Sequence, residues 1–296
     1  MRKVRNRLTD RKSGLFWATG AVLFVYCVSL LLPFFWMLFT SFKGLLDYMD
    51  GFFKLPQKWQ FSNYAKIFDL LRIEQISDGE IYEYKIQHML LNSFILASTI
   101  PFMQLVSPAL ASYVVAKYKF RGRNFLFALN IFVMTIPIVG SLANTLTVYR
   151  QLGIYDNILL YILLPGMPFG FNFLLLYGAY KGIPDSFAEA VRIDGGGHLT
   201  VFFRIVIPMM IPTFTALYIL GFIGGWNDYS APLLFLPSNP NLAYGMYVFQ
   251  QDASRYGANL PEILAGFTMT AIPSVLLFVL TQKIVMRSLR IGGLKE

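Results

Sequence analysis

The chain has 296 residues, 56% hydrophobic and only 14% charged, with a mean hydropathy of +0.54. That composition excludes an ordinary water-soluble domain, in which about 25% of residues are charged. A single cysteine, Cys27, excludes an internal disulfide, and the net charge of +9 is accounted for by loop charge rather than by a nucleic-acid surface.

A membrane-crossing helix needs about 20 mostly apolar residues. Six stretches free of Asp, Glu, Lys and Arg reach that length: 13–42, 86–116, 124–149, 157–180, 205–227 and 263–282. They predict an all-α integral membrane protein with six transmembrane helices over residues 15–286. A basic tail, 1–14, precedes them and a second tail, 287–296, follows. The first stretch is too long for the apolar region of a secretory signal, about 7–15 residues. It ends in Pro33-Phe34-Phe35-Trp36 and reads as an uncleaved span.

The loop 41–85 is the longest, with seven acids against six bases and five aromatic residues between Phe52 and Tyr64. Pro56 and Asn63 read as turns. Too short for a large core of its own, the loop is expected to pack as a small outward cap. The fifth stretch is the least regular, since Pro208, Pro212 and the glycines at 221, 224 and 225 interrupt it. Such residues are tolerated in a span when neighbouring helices or cavity water satisfy the freed backbone groups. The segment 237–261 is rich in Asn, Gln, Tyr and Gly. Asn239, Tyr244, Tyr247 and Gln250 suit a contact surface, or an ordinary solvated loop.

Lysine and arginine placement sets orientation. Arg2, Lys3, Arg5, Arg7, Arg11, Lys12, Lys117, Lys119, Arg121, Arg123, Lys181, Arg192, Arg204, Lys283, Arg287, Arg290 and Lys295 fall on one side. They are 17 of the 25 basic residues. That side is the cytoplasm, and it holds both termini. A basic N-terminal tail also suits contact with anionic lipid.

The loop 181–204 separates the fourth and fifth stretches. Gly182-Ile183-Pro184-Asp185 reads as a helix start, with proline at the first turn and an acid beside it. The helix runs to Ile193, and Gly195 is the left-handed terminator. A second helix from about His198 carries Phe202, Ile205 and Val206 towards Pro208. The product is a helix–glycine turn–helix in water, within reach of a soluble partner. Gly195-Gly196-Gly197 leads into His198-Leu199, not into the Gly-Lys-Ser/Thr of a phosphate-binding loop.

Glu189-Ala190-Val191-Arg192-Ile193-Asp194-Gly195, followed by Ile205-Val206-Ile207-Pro208, resembles the EAA loop of ABC-importer permeases, E-A-A-x3-G-x9-I-x-L-P. Val191 and Ile207 depart from it, where the family prefers alanine and leucine. Leu91-Asn92-Ser93, Trp226-Asn227-Asp228 and the ending Ile291–Glu296 are similar to the smaller permease of maltose-type carbohydrate importers.

The resemblance implies a permease subunit in a bacterial or archaeal cytoplasmic membrane, paired with a second, homologous permease. It implies two ATPase subunits, which hold ATP and Mg, while this chain binds no cofactor and is no enzyme. An extracytoplasmic binding protein would deliver a carbohydrate. Glu189, Ala190, Val191, Asp194, Gly195, Ile205 and Pro208 would then couple to the ATPase. The loop bearing Asn239, Tyr244, Tyr247 and Gln250 would reach the binding protein, and Gly292, Gly293 and Lys295 the ATPase interface.

For the substrate path, Trp226, Asn227, Asp228 and Tyr229 combine rings for sugar C–H faces with groups that bond hydroxyls. Interface anchoring is the other use of Trp226 and Tyr229. Asn144 and Asn172 are further amides within spans, where interhelical bonding is the alternative. His88 and His198 fall on opposite sides of the membrane and form no metal site. Two other readings stay open: an ABC permease for a non-sugar solute, and an ion-coupled secondary transporter. The second would favour inverted repeats and an embedded charge. A membrane enzyme would need a nucleophile–base pair, which the sequence lacks.

Overall fold

A computed structural model describes residues 2–77, 80–136 and 140–291. In chain order its helices are α1 (Arg2–Ser41), α2 (Leu45–Asp50) and α3 (Ser62–Leu70), then strands β1 (Arg72–Ser77) and β2 (Glu80–Lys85). Next come α4 (Ile86–Lys117), α5 (Arg123–Thr135), α6 (Ser141–Gln151), α7 (Ile158–Ile162) and α8 (Phe171–Gly182). The remainder is α9 (Ser186–Ile193), α10 (His198–Val201), α11 (Ile207–Asn227), α12 (Ser230–Phe235), α13 (Leu242–Gln251) and α14 (Leu260–Ile291). A π-helical turn, Phe202–Val206, joins α10 to α11.

Among the described residues, four helical segments are long and apolar enough to cross a bilayer: Phe16–Ser41, Ile86–Lys117, His198–Asn227 and Leu260–Met286. The third and fourth apolar stretches are not continuous helices. The third gives α5 and α6, the fourth α7 and α8. The sequence explains both interruptions. Ile136 precedes a proline, which disfavours the helical conformation. Pro165-Gly166-Met167-Pro168 removes two backbone donors just past α7.

The expectation of an all-α chain needs one correction. β1 and β2 pair antiparallel, Arg72 opposite Lys85 and Ser77 opposite Glu80. Ile73, Ile76, Ile81, Tyr82 and Tyr84 are strand formers on either side of Asp78-Gly79, a dipeptide that favours two-residue hairpins. Asn63 is also corrected: it lies inside α3, not in a turn.

The chain divides into two compact units, Met1–Leu70 with Asp252–Met269, and Leu71–Gln251 with Thr270–Glu296. In the first, the C-terminal end of α1 is roofed by the cap. The Phe42 ring lies 5.3 Å from Trp59 and 5.1 Å from both Phe61 and Tyr64. Buried Asn63 donates to the carbonyls of Ser41 (2.8 Å) and Lys43 (2.9 Å). Lys43, fully buried, spends its ammonium on the Gly51 carbonyl at 2.9 Å. Lys66 pairs with Glu262 at 2.7 Å.

In the second unit α4 packs on both α8 and α11. Leu105, Ala109, Tyr113 and Ala116 of α4 meet Leu176, Ala179 and Tyr180 of α8 and Met210 and Leu217 of α11. The α4–α11 crossing depends on a missing side chain. A Cβ on Gly221 would stand 2.7 Å from Cβ of Pro101, whereas one on Gly224 would meet nothing within 4 Å. Small residues at such crossings let helix backbones approach where lipid supplies no hydrophobic drive. Gly221→Leu is therefore expected to cost roughly 1–3 kcal/mol by overpacking, read as a lowered melting temperature in detergent. Gly224→Ala is expected to leave that temperature unchanged.

Candidate coupling element and translocation path

α9 starts after Pro184 and ends in a glycine cap. The Gly195 N–H donates to the Arg192 carbonyl (3.0 Å) and the Gly196 N–H to the Val191 carbonyl (2.8 Å). This is the bonding of a Schellman motif, with Gly195 left-handed at φ +81°. Ala188 and Val191 turn inward and pack on the buried cluster formed by α4, α8 and the start of the fifth stretch. Glu189, Ala190, Arg192, Asp194 and Gly195 are exposed. Ile193 is 86% exposed and Leu199 73%, high values for large apolar side chains. Ile205 is half-buried and Pro208 exposed. Val191, one of the two departures from the family pattern, thus serves this chain's own core.

Lys117, the last residue of α4, fastens the element. Its ammonium donates to the Ile183 carbonyl (2.5 Å) and to Asp185 Oδ1 (2.8 Å). Sequence reading counted Lys117 only as a marker of sidedness; its place at a helix C-terminus, where a cation is favoured, was the available signal. Close by, Tyr118 and His198 share a hydrogen bond of 3.0 Å, and the Tyr113 ring sits 4.7 Å from Phe202. A groove of about 350 Å³ opens between these residues and α9, lined by Lys117, Lys119, Asp185, Phe187, Glu189 and Arg192 among others.

Two cavities lie where the fourth stretch is broken. One, of about 570 Å³, is lined by Pro165, Gly166, Phe169, Gly170, Tyr149 and Asn172. The other, of about 300 Å³, is lined by Gly221, Gly224, Asp228 and Asn241. Ile100, Gln104 and Tyr161 belong to both. Asn130, buried on α5, accepts from the Gly170 N–H at 2.6 Å, so one freed backbone donor is satisfied by a side chain. Neither Gln104 nor Asn130 stood out in the sequence, where single amides inside apolar stretches carry no spacing signal.

The other path candidates separate. Trp226 is buried, its indole N–H donating to the Thr270 carbonyl at 2.9 Å and its ring edge-on to Phe94 at 5.2 Å. Asn227 donates to the Ile223 carbonyl (2.8 Å) and Ser274 Oγ (3.3 Å). Asp228 Oδ1 accepts from the backbone N–H of Ser230 (2.9 Å) and Ala231 (3.2 Å), opening α12. Asn144 is exposed on α6, whereas Asn172 lines the larger cavity.

The segment 237–261 is not an open loop throughout, because Leu242–Gln251 folds into α13. Tyr244 is buried there, Asn239 and Tyr247 are half-buried, and Gln250 is exposed. Tyr229 and Tyr247 stack at 4.6 Å, 12° from parallel. Asn92 and Ser93 hold the start of α13, bonding the Pro240 carbonyl (3.0 Å) and the Leu242 N–H (2.7 Å). Gly292, Gly293 and Lys295 lie outside the described residues.

Long apolar helices, a broken-helix cavity and a bolted helix–turn–helix in the polar loop together describe a multi-pass membrane transport subunit. The model of a family described as "Binding-protein-dependent transport system inner membrane component" matches residues 108–291. The chain belongs to that family and is a membrane permease subunit. It is 26% identical over 269 residues to the diacetylchitobiose uptake system permease protein NgcG of Streptomyces coelicolor, covering 89% of this chain and 83% of that protein. It is 31% identical to the arabinooligosaccharides transport system permease protein AraQ of Halalkalibacterium halodurans, over 69% and 72% of the two chains. The fold matches a chain of a bacterial ABC transporter involved in the import of the acidic polysaccharide alginate. There the TM-score is 0.70 at 20% identity, over 93% of this chain and 97% of that one. The ion-coupled alternative gives way to this family.

Charge-assisted hydrogen bonds contribute about 1.5–3 kcal/mol, exposed ion pairs roughly 0–1 kcal/mol. The carbonyl bond from Lys117 therefore outweighs its pair with exposed Asp185. Lys117→Met is expected to raise hydrogen exchange over residues 183–196 about tenfold or more, and Asp185→Asn distinctly less. The hydrogen bond and charge of Lys117 hold the Asp185 carboxyl below its ordinary value of 3.8. Since the folded value is the lower one, the pair's contribution is complete above the ordinary value. It is lost only as pH falls through the lowered value, so exchange should not vary with protonation of Asp185 near neutrality.

Proposed function

We propose that this chain forms half of the translocation path of a binding-protein-dependent ABC importer for a sugar or oligosaccharide. It pairs with a second permease and rests on two ATPase subunits, where hydrolysis takes place. The observation that carries the reading is α9: an exposed, glycine-capped helix seated on the core through Ala188 and Val191 and bolted to α4 by Lys117. A rigid projection of this kind transmits a partner's motion to α4, α8 and the fifth span. Glu189, Ala190, Asp194 and Gly195 form its outward surface; Val191, Ile205 and Pro208 connect it to the spans.

The α5–α6 and α7–α8 pairs serve as the third and fourth crossings, which gives six spans with both termini in the cytoplasm. The carbohydrate assignment draws on two relatives named for oligosaccharide uptake and on the cavity chemistry. Gln104 and Asn172 offer amides, Tyr149 and Tyr161 rings with hydroxyls, a lining that suits neutral polyols. Tyr229, Tyr247 and Gln250 face the delivery side, where an extracytoplasmic binding protein docks. The tail with Gly292, Gly293 and Lys295 reaches towards the ATPase.

The test is reconstitution with the partner subunits and binding protein in proteoliposomes. A side chain at the left-handed Gly195 costs about 1–2 kcal/mol and deforms the turn. Gly195→Val should reduce oligosaccharide uptake at least tenfold, with membrane insertion intact and basal ATP hydrolysis retained. Unchanged uptake would refute the coupling role. Co-purification of the chain without any ATPase would refute the importer reading as a whole.

A further inference from the structure

The cap that follows α1 carries apolar side chains that its own unit leaves uncovered. Phe53 is 84% exposed, and Leu46, Met49 and Leu55 are also exposed. Beneath them runs a groove of about 270 Å³ between the outer end of α1 and the Phe53–Leu55 segment. Its walls are Leu32, Phe35, Trp36, Phe39 and the buried Thr40 on the helix side and Phe53 and Leu55 on the other, with Lys54 at the same edge. The Trp36 indole donates to the Phe52 carbonyl at 2.9 Å and its ring centre lies 6.4 Å from that of Phe53. The two walls are therefore fixed to each other.

The height of the groove follows from the helix. A hydrocarbon core of about 30 Å takes about 20 residues at 1.5 Å each. Counted from Phe16, where the apolar part of α1 begins, that length ends near Trp36. The groove thus straddles the outer boundary between hydrocarbon and headgroups, where tryptophan belts sit. It is continuous with the side of α1, whose apolar window has no buried residue within this chain. The walls offer no amide or carboxylate for a sugar hydroxyl. At the rim, Lys54 gives one of its three N–H donors to the Asp50 carbonyl at 3.0 Å, and a cation at this depth attracts anionic headgroups.

We propose that this groove is a lipid site: it holds an acyl chain of an outer-leaflet phospholipid, with Lys54 at the headgroup phosphate. The cap is thereby a lipid-anchored lid on α1 rather than a free extracytoplasmic loop. Apolar segments buried at the headgroup–acyl boundary bind by apolar area plus attraction to anionic lipid.

The test is photocrosslinking in the assembled transporter, reconstituted in equal parts phosphatidylglycerol and phosphatidylethanolamine. Phe53→p-benzoylphenylalanine is irradiated and the peptide carrying position 53 is weighed. The expected result is a phospholipid adduct that falls at least fivefold when Leu55→Glu is added. The phosphatidylglycerol adduct should exceed the phosphatidylethanolamine adduct at least twofold, and Lys54→Gln should abolish the enrichment. A crosslink to the second permease or to the binding protein would overturn the site. So would the absence of an adduct, or an adduct indifferent to Leu55→Glu, which marks bulk lipid only. Bulk proportions in the unaltered Lys54 background would overturn the headgroup contact.

Discussion

In a hydrocarbon medium a backbone N–H or C=O without a partner costs several kcal/mol, so a spanning chain must pair every such group internally. The architecture of the second unit follows from that constraint. α4 and the segment through α11 meet it as long helices. The fourth stretch cannot, because its prolines at 165 and 168 remove donors and break the ladder. The break is tolerated where other groups answer it. Asn130 accepts from Gly170, and the Gly166 N–H reaches the Met103 carbonyl at 3.2 Å. What irregular backbone remains borders a cavity, the setting in which membrane proteins keep their working sites.

The same three-helix core ties that cavity to the polar loop. Leu105 through Ala116 line one face of α4, and the cluster continues without interruption to Val201, Phe202 and Val206 below. α9 rests on this cluster through two small apolar contacts, and Lys117 fixes its first turn. Displacing α9 therefore displaces the C-terminal end of α4 and the start of α11, since close-packed side chains pass strain rather than absorb it. The π-helical turn at Phe202–Val206 lies between lever and span. An extra residue in a helical turn marks many functional joints.

Around α12 and α13, polar side chains that invite a substrate role are spent on holding the chain together. Ser93 and Asn92 dock α13, Asp228 opens α12, and Asn241 donates to the Asp228 carbonyl at 2.8 Å. Trp226 locks α11 to the carbonyl of Thr270. These bonds make Trp226-Asn227-Asp228 a structural corner beside the smaller cavity, where only Asp228 of the three contributes to the lining.

Hydropathy alone identified a membrane protein, and charge placement predicts one strongly basic side. The spacing of Glu189, Gly195, Ile205 and Pro208 established a helix ending in a glycine turn. These features are legible because they depend on local rules: apolar run length, capping and the conformational freedom of glycine. The tertiary structure alone decided that Val191 faces inward, that Lys117 bolts the lever, and that Gln104 borders both cavities while Asn144 lies exposed. It also decided that Leu242–Gln251 folds into a packed helix, that Arg72–Ser77 pairs with Glu80–Lys85, and that the segment 53–55 closes an apolar groove against α1. Each of these depends on which distant residue arrives opposite. An amide, a lysine or a phenylalanine has the same local preferences whether it meets a freed backbone group, a cavity or a lipid chain.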